Sequence, residues 1–306
     1  MKGLKVCRGS FWWMNAGIIL GFTLSFVFRA SMSGTLLQPV RVEQTGLEDS
    51  GGEVHSHEEP SGMDDLVADV NLKPDITTAK DPKTVRILCW IMTHPKNRES
   101  RLVHVKATWS RRCDKVLYFS SEADKDFPII KVDVPSEARS HLTLKSRQAW
   151  KYIFDNHYDD AEWFYRCDDD SYAIMDNMRY FLSVYDPNKP YYFGHMFKTL
   201  GGYSSGGSGY VISKESLKRF GEEGFNSSKC RKDGAASDQA IGACLKILGK
   251  RTFWGCIRHG TLNYDNYGAQ KGLESLSDYP ISFHYITGQR MHTFEYFLYN
   301  VKVYVT

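Results

Sequence analysis

The sequence lacks several signals that would assign a function at once. No two cysteines are spaced as CxxC, so a zinc module is not expected. The glycine-rich run Gly201–Gly209 has no Lys-Ser/Thr ending, which argues against a Walker phosphate loop and favours a mobile loop lining a cleft. Lys+Arg 39 against Asp+Glu 36 is nearly balanced, so charge does not indicate a nucleic-acid partner.

Aromatic residues are also missing from one long stretch. They make up 14% of the 306 residues, yet none occurs between Ala30 and Thr84. Gly, Ser, Pro, Asp and Glu dominate there, and such a segment cannot bury enough apolar surface to offset its chain entropy. We therefore expect residues 29–84 to form a flexible stem, followed by a globular domain at 85–306.

A run without charged residues, Gly9–Phe28, precedes this stem. At about 1.5 Å per residue it is long enough to cross a hydrocarbon core of ~30 Å. Three basic residues come before it and only Arg29 follows closely, which predicts that residues 1–8 stay in the cytosol and the rest faces the lumen. The alternative is a cleaved signal peptide, for which Ala30–Ser33 offers small residues.

Both alternatives place every cysteine except Cys7 in an oxidising compartment. The remaining six could form up to three disulfides, and the sequence leaves their connectivity open. Asn226-Ser227-Ser228 is an N-glycosylation sequon, which agrees with the same compartment.

Strands and helices are predicted to alternate after the stem. The pattern predicts buried strands at 85–91, 115–119 and 162–167, with helices at 103–109 and 142–157 between them. This order implies parallel βαβ units. Further elements are predicted as a helix at 174–184, strands at 191–194 and 210–212, and a helix that contains Asp238 and reaches Leu248. The last third is only weakly periodic.

Three carboxylates, Asp168–Asp170, directly follow the third predicted strand. Adjacent carboxylates repel one another, and a divalent cation is the simplest group that stabilises them. Open α/β sheets bind ligands beyond the carboxyl ends of their strands, which is where this cluster is expected. The alternative is an acidic, solvent-exposed turn.

Ordered motifs run from about residue 84 to the carboxyl terminus. They are Arg86–Thr93, His104–Trp109, Cys113–Leu117, Asp124–Pro128, Trp163–Asp170, Tyr185–Pro187, Tyr192–Gly194, Ser205–Val211, Ser213–Glu215 and Ser282–Tyr285. Together they resemble the core 1 β1,3-galactosyltransferases. Leu142–Lys145 is similar to a motif of the wider fringe-like β1,3-glycosyltransferase family.

The resemblance implies a GT-A-type, Rossmann-like α/β domain in a single-pass type II Golgi membrane protein, with UDP-galactose as donor. It also implies Mn²⁺ as cofactor, O-linked GalNAc on a glycoprotein as acceptor, and inverting β1,3 transfer. A homodimer is compatible with it, and a nucleic-acid partner is not expected.

Site roles are also implied by this resemblance. It assigns the metal ligands to Asp168, Asp170 and His284, with Asp170 as the foremost direct ligand. Donor binding falls to Thr93, Lys145, Asp168 and Asp169. Asp238 is the implied general base; the alternative is an acid stabilised by a helix amino terminus. For His284 the alternative is a packed or exposed histidine.

The chain departs from the family pattern at two places. Ser237 stands where the family has an acid, and the region 254–277 is shortened and lacks the paired cysteines, which bears on the acceptor. Two other functions stay open. One is a non-catalytic, chaperone-like relative, which lacks the aspartate cluster; the other is a fringe-like β1,3-N-acetylglucosaminyltransferase acting on O-fucose.

Overall fold

A computed structural model describes residues 79–197, 202–248 and 279–303, and the backbone of 253–256. The predicted membrane segment Gly9–Phe28, most of the predicted stem and the shortened region after residue 256 lie outside these ranges. Within them, no helix combines the length and the apolar character that a membrane span requires.

The described strands are short, and most belong to one sheet. In chain order they are β1 (Ile87–Met92), β2 (Lys115–Ser120), β3 (Ile129–Lys131), β4 (Trp163–Asp168), β5 (Tyr172–Ala173), β6 (Tyr191–Gly194), β7 (Met196–Phe197), β8 (Tyr203–Ser204), β9 (Tyr210–Ser213), β10 (Phe253–Cys256) and β11 (Ser282–Phe283). Seven of them form a sheet in the order β10-β6-β9-β4-β1-β2-β3. Two ladders outside it pair β5 with β11 and β7 with β8.

This sheet is mixed. β4, β1, β2 and β3 are parallel, which confirms the predicted βαβ units. β9 runs antiparallel to both of its neighbours, β4 and β6. β10 pairs with β6 in parallel. The α/β prediction is therefore confirmed, and β9 is the strand that makes the sheet mixed.

Six α-helices are described. They are α1 (Val103–Ala107), α2 (Leu142–His157), α3 (Met175–Leu182), α4 (Lys214–Arg219), α5 (Ser237–Leu248) and α6 (Gln289–Tyr299). The bounds of α2 are those predicted. The helix predicted at 103–109 ends early, because Thr108 leaves the helical conformation and a 3₁₀ turn follows at Trp109–Arg112.

Alternation along the central strand divides the core between the two faces of the sheet. On β4, Trp163, Tyr165 and Cys167 belong to the cluster that includes residues of α3 and α6. Phe164 belongs to the opposite cluster, with Trp150 of α2. Successive side chains of a strand point to opposite faces, and each fully buried large side chain contributes about 1.5–3 kcal/mol.

Four of the described cysteines form two disulfides, Cys89–Cys113 and Cys230–Cys244. Cys167 is a free, buried thiol, and burial raises its pKa far above the ordinary value. The side chain of Cys256 lies outside the described part. Because Cys167 is free, a framework of three disulfides among the six cysteines that follow Cys7 is wrong.

Glu295 fastens α6 to the body of the domain. Its carboxylate accepts hydrogen bonds of 2.5 to 2.9 Å from Arg111, Arg112 and the Tyr172 hydroxyl. Its side chain is only 9% exposed. Burial opposes ionisation, but the bonds from Arg112 and Tyr172 hold the pKa of Glu295 below its ordinary value.

We expect Glu295→Ala to lower the free energy of unfolding by about 2 kcal/mol, because the buried Tyr172 hydroxyl and the partly buried Arg112 lose a charged acceptor. The matched control is Glu215→Ala, which removes an i,i+4 pair with Arg219 and should cost about 0.5 kcal/mol. Urea denaturation of both variants measures the difference. Equal losses would show that Glu295 is no more than a surface ion-pair partner.

Candidate active site

The aspartate cluster lies at the carboxyl end of β4, at the edge of the sheet where β1 also ends. Met92 is opposite Asp168 in the parallel register, so Thr93 and Asp169 leave their strands side by side. The Ser171 amide then donates to the Asp168 carbonyl at 3.3 Å and turns the chain. The predicted position beyond the strand ends is where the carboxylates lie.

His284 reaches this cluster through the ladder between β5 and β11. Phe283 pairs with Tyr172, and the Ile286 amide donates to the Asp170 carbonyl at 2.8 Å. His284 Nε2 consequently lies 3.3 Å from Asp170 Oδ1. One ligand atom each from Asp168, Asp170 and His284 fall within 4.8 Å of one another.

These three side chains fit a divalent cation. Asp170 Oδ1 is buried and has no hydrogen-bond partner among the described residues, because its 3.3 Å contact with His284 Nε2 lacks hydrogen-bond geometry. Burial opposes ionisation here, but His284 and Arg101 hold the pKa of Asp170 below its ordinary value. A buried, ionised oxygen beside an imidazole nitrogen is the donor set that a cation such as Mn²⁺ accepts.

Asp168 lies close both to this cluster and to a buried arginine. Arg166 Nη2 lies 2.9 Å from Asp168 Oδ1, and the aspartate side chain is 36% exposed. Burial raises the pKa of Asp168, while the charge of Arg166 opposes that rise.

Asp169 faces into the protein. It is 3% exposed and accepts hydrogen bonds from Thr93 Oγ1 at 2.6 Å and from Asn97 Nδ2 and Arg101 Nη1 at 2.9 Å. The predicted donor-binding residues Thr93 and Asp169 are therefore bonded to each other. In this structure Asp169 orders the segment that follows β1.

Lys145 is likewise buried, at 3% exposure. Its ammonium group donates to the Thr93 carbonyl at 2.5 Å and to both oxygens of Glu137 at 2.7 Å. Burial lowers the pKa of Lys145, and Glu137 opposes that shift. Glu137 in turn lines a cleft of about 610 Å³ at the carboxyl ends of β1, β2 and β3. The other residues lining this cleft are His94, Pro95, Lys96, Ser121, Glu122, Val134, Pro135 and Ser136.

Asp238 comes into the site from the first turn of α5. Its Oδ2 accepts from the Gly206 amide at 3.2 Å, and its Oδ1 accepts from the Gln239 amide at 2.9 Å. The next residue, Gly207, lies directly against His284: a Cβ added there would stand 2.1 Å from the ring. The Gly206–Gly207 peptide thus separates the predicted base from the predicted metal ligand.

The glycine-rich run is packed. Residues 204–209 are buried. The Ser171 hydroxyl donates to the Gly207 carbonyl, and the Ser282 hydroxyl donates to the Ser208 carbonyl at 2.7 Å. The prediction of a loop lining an open cleft is wrong for these residues, because the glycines here allow close approach of buried side chains.

Three residues near the cluster were not predicted from the sequence, namely Asn97, Arg101 and Arg166. Arg101 Nη1 lies 2.9 Å from Asp169 and 3.2 Å from Asp170. The available signal was a polar segment, Asn97–Arg101, soon after the first strand. For Arg166 the available signal was a single charged residue directly after the aromatic run of β4.

Comparison with known proteins identifies relatives of this chain. A family model described as fringe-like matches residues 82–293. The chain is 39% identical over 246 residues to glycoprotein-N-acetylgalactosamine 3-beta-galactosyltransferase 1 of Xenopus laevis, covering 72% of this chain and 68% of that protein. It is 28% identical over 172 residues to beta-1,3-glucosyltransferase of Mus musculus, covering 55% and 34%. Similarity to human chondroitin sulfate synthase 3 is 28% over 180 residues, covering 52% and 20%. The chain belongs to the fringe-like family.

Proposed function

We propose that the protein is an inverting glycosyltransferase that moves galactose from UDP-galactose to O-linked GalNAc on Ser or Thr of glycoproteins, in β1,3 linkage. The observation that carries the proposal is the arrangement of Asp170, His284 and Asp238 around one peptide, Gly206–Gly207. Similarity to the Xenopus laevis galactosyltransferase supports the sugar specificity.

An inverting transfer needs two separate tasks from the chain. The leaving diphosphate must be neutralised, and a bound Mn²⁺ would supply that charge. Asp170 and His284 would hold the ion, with Asp168 beside them. The acceptor hydroxyl must lose its proton, and Asp238 is the carboxylate available to take it. The two tasks fall on opposite sides of the Gly206–Gly207 peptide.

The cleft at the ends of β1, β2 and β3 is our proposed place for the donor nucleotide. Glu137 and His94 line it, and Lys145 fixes Glu137 from below by two hydrogen bonds of 2.7 Å. Thr93 joins that end of the site to Asp169. Arg101, beside Asp170, adds a positive charge where the diphosphate would enter.

A chaperone-like function is disfavoured by these same residues. A binding protein would not need a buried carboxylate oxygen left without a hydrogen-bond partner beside a histidine, as Asp170 has. A fringe-like N-acetylglucosaminyltransferase would use the same donor geometry, so the two enzymes differ in sugar and acceptor. Assays of both substrates separate them.

Given UDP-galactose and Mn²⁺, we expect the purified protein to modify peptides that carry α-GalNAc on Ser or Thr. O-fucosylated peptide with UDP-GlcNAc is the control reaction and should give no product. Mass spectrometry measures the added hexose. Transfer of GlcNAc to O-fucose, with no galactose on the α-GalNAc peptide, would leave the UDP-sugar site standing and overturn both the donor-sugar and the acceptor assignment.

We further propose that residues 9–28 anchor the protein in Golgi membranes with the catalytic domain in the lumen. Asn226 is exposed, in the segment between the turn Phe220–Gly224 and the disulfide Cys230–Cys244. A luminal domain should therefore carry one endoglycosidase-sensitive glycan, lost in Asn226→Gln. Ser227→Ala is the matched control, because it keeps the Asn-x-Ser sequon. A wild-type chain without any glycan would count against this orientation.

A further inference from the structure

Arg166 is a buried charge on the strand that ends in the aspartate cluster. It is 3% exposed, and its Cζ lies 5.6 and 5.9 Å from the ring centres of Trp90 and Tyr210. Taking a guanidinium out of water into aromatic surroundings is strongly unfavourable unless contacts compensate for it. The surroundings of this side chain therefore indicate what it does.

Two features of the site converge on the guanidinium. Nη2 lies 2.9 Å from Asp168 Oδ1. Nη1 lies against Gly206: a Cβ added to that glycine would stand 2.3 Å from Nη1 and 3.4 Å from the Cβ of Asp238. The amide of the same glycine donates to Asp238 Oδ2 at 3.2 Å. One fixed cation therefore lies between the first aspartate of the cluster and the proposed base.

The contacts of Arg166 leave some of its buried hydrogen-bond donors unsatisfied, which is unusual for a residue with a purely structural role. Nε and Nη1 of Arg166 are buried without a hydrogen-bond partner among the described residues. Unsatisfied buried donors are uncommon in folded proteins and call for a reason beyond stability. A structural partner for Asp168 would not require the other arm of the guanidinium to lie under the Gly206 turn.

We propose that Arg166 is a positioning residue for Asp238, an inference that rests on the proposed function. Its guanidinium packs against the Gly206 turn without a hydrogen bond to it, and the amide of that turn orients the carboxylate that accepts the proton. Its charge attracts both Asp168 and Asp238 and so keeps the base at a set distance from the metal ligands. In this proposal Arg166 acts through the Gly206 turn and not on a substrate.

The test is a double-mutant cycle on the hydrolysis of UDP-galactose at saturating Mn²⁺ and donor, which does not depend on the acceptor. We expect Arg166→Met to lower kcat by about 10–100-fold, the loss typical when a supporting partner is removed. In the Asp238→Asn background the same change should alter kcat by less than about twofold, because residues that act as a unit are non-additive. Arg166→Lys, which keeps the charge, should lose less than Arg166→Met.

Three outcomes have distinct meanings. Equal factors in both backgrounds, or an unchanged kcat in Arg166→Met, would overturn the inference. A wild-type protein that neither hydrolyses UDP-galactose with Mn²⁺ nor transfers galactose to the α-GalNAc peptide would instead refute the proposed function before any variant is compared; if only transfer occurs, the same cycle is measured on transfer. Arg166→Met should fold, since Asp168 is 36% exposed and water can replace the lost partner; the melting temperature checks this. Arg166→Lys supplies the same comparison if the Met variant does not fold.

Discussion

Asp238→Asn is expected to lower kcat by about 10²–10⁴-fold, or roughly 3–5 kcal/mol of barrier. Asparagine keeps the size of the side chain and one acceptor oxygen, so it can retain one of the two hydrogen bonds that Asp238 accepts from the Gly206 and Gln239 amides. It cannot take a proton at neutral pH. The affinity for UDP in the presence of Mn²⁺ should stay nearly intact, because Asp170 and His284 are untouched.

The matched control for this variant is Asp176→Asn. Asp176 is the second residue of α3, as Asp238 is the second residue of α5, and both are first-turn acids. If Asp238 serves only the helix dipole, both substitutions should cost up to about 1 kcal/mol of stability and leave turnover unchanged. Kinetics, UDP titration and thermal melting of the two variants decide the question.

Gly207→Ala is expected to abolish most Mn²⁺-dependent binding of UDP, as His284→Ala should. The new methyl group would stand 2.1 Å from Cε1 and 2.2 Å from Nε2 of the histidine. The ring must then move away from Asp170, from which Nε2 is now 3.3 Å distant. Displacing a ligand in this way should weaken metal-dependent binding by at least about 10–100-fold, measured by calorimetry with and without EDTA.

Gly221→Ala controls for the steric change. A Cβ at Gly221 would stand 2.3 Å from the ring of Phe154, a similar overlap away from the metal cluster. We expect it to lower the melting temperature while leaving Mn²⁺-dependent UDP binding unchanged. Intact metal binding in both Gly207→Ala and His284→Ala would remove His284 from the cation site.

Local sequence pattern predicted the parts of the fold that have a strong period or an abrupt change of composition. The apolar stripe of α2 predicted both ends of that helix. The aromatic run that stops at the aspartates predicted where β4 ends. The direction of β9 had no local signal, because strand polarity is decided by pairing with β4 and β6. α6 was not predicted, because Tyr296, Phe297 and Leu298 are apolar residues on its exposed face. With apolar residues on both faces, the sequence shows no one-sided apolar stripe.

The site residues also differ in whether a local sequence pattern or the pairing of distant segments locates them. Asp168–Asp170 could be inferred from charge clustering alone, whereas His284 entered only through the family resemblance, because a ladder between distant segments brings it to Asp170. Arg101 and Arg166 depend on the register of β1 and β4, which no short window of sequence encodes. The roles of Thr93, Lys145 and Asp238 stay predictions that the variants above and donor-binding assays can test.

The disulfide between Cys89 and Cys113 has a consequence for how the protein must be produced. Its two half-cystines are 24 residues apart, and the loop they close contains Thr93, Asn97 and Arg101, all three of the side-chain donors that hold Asp169. Closing such a loop restricts the unfolded chain by about 3 kcal/mol. Cys89 is fully buried, whereas its partner Cys113 is only partly buried. Protein made in a reducing bacterial cytosol should therefore lack this stabilisation of the segment that orders Asp169, and an oxidising host is the expected route to the disulfide-bonded form.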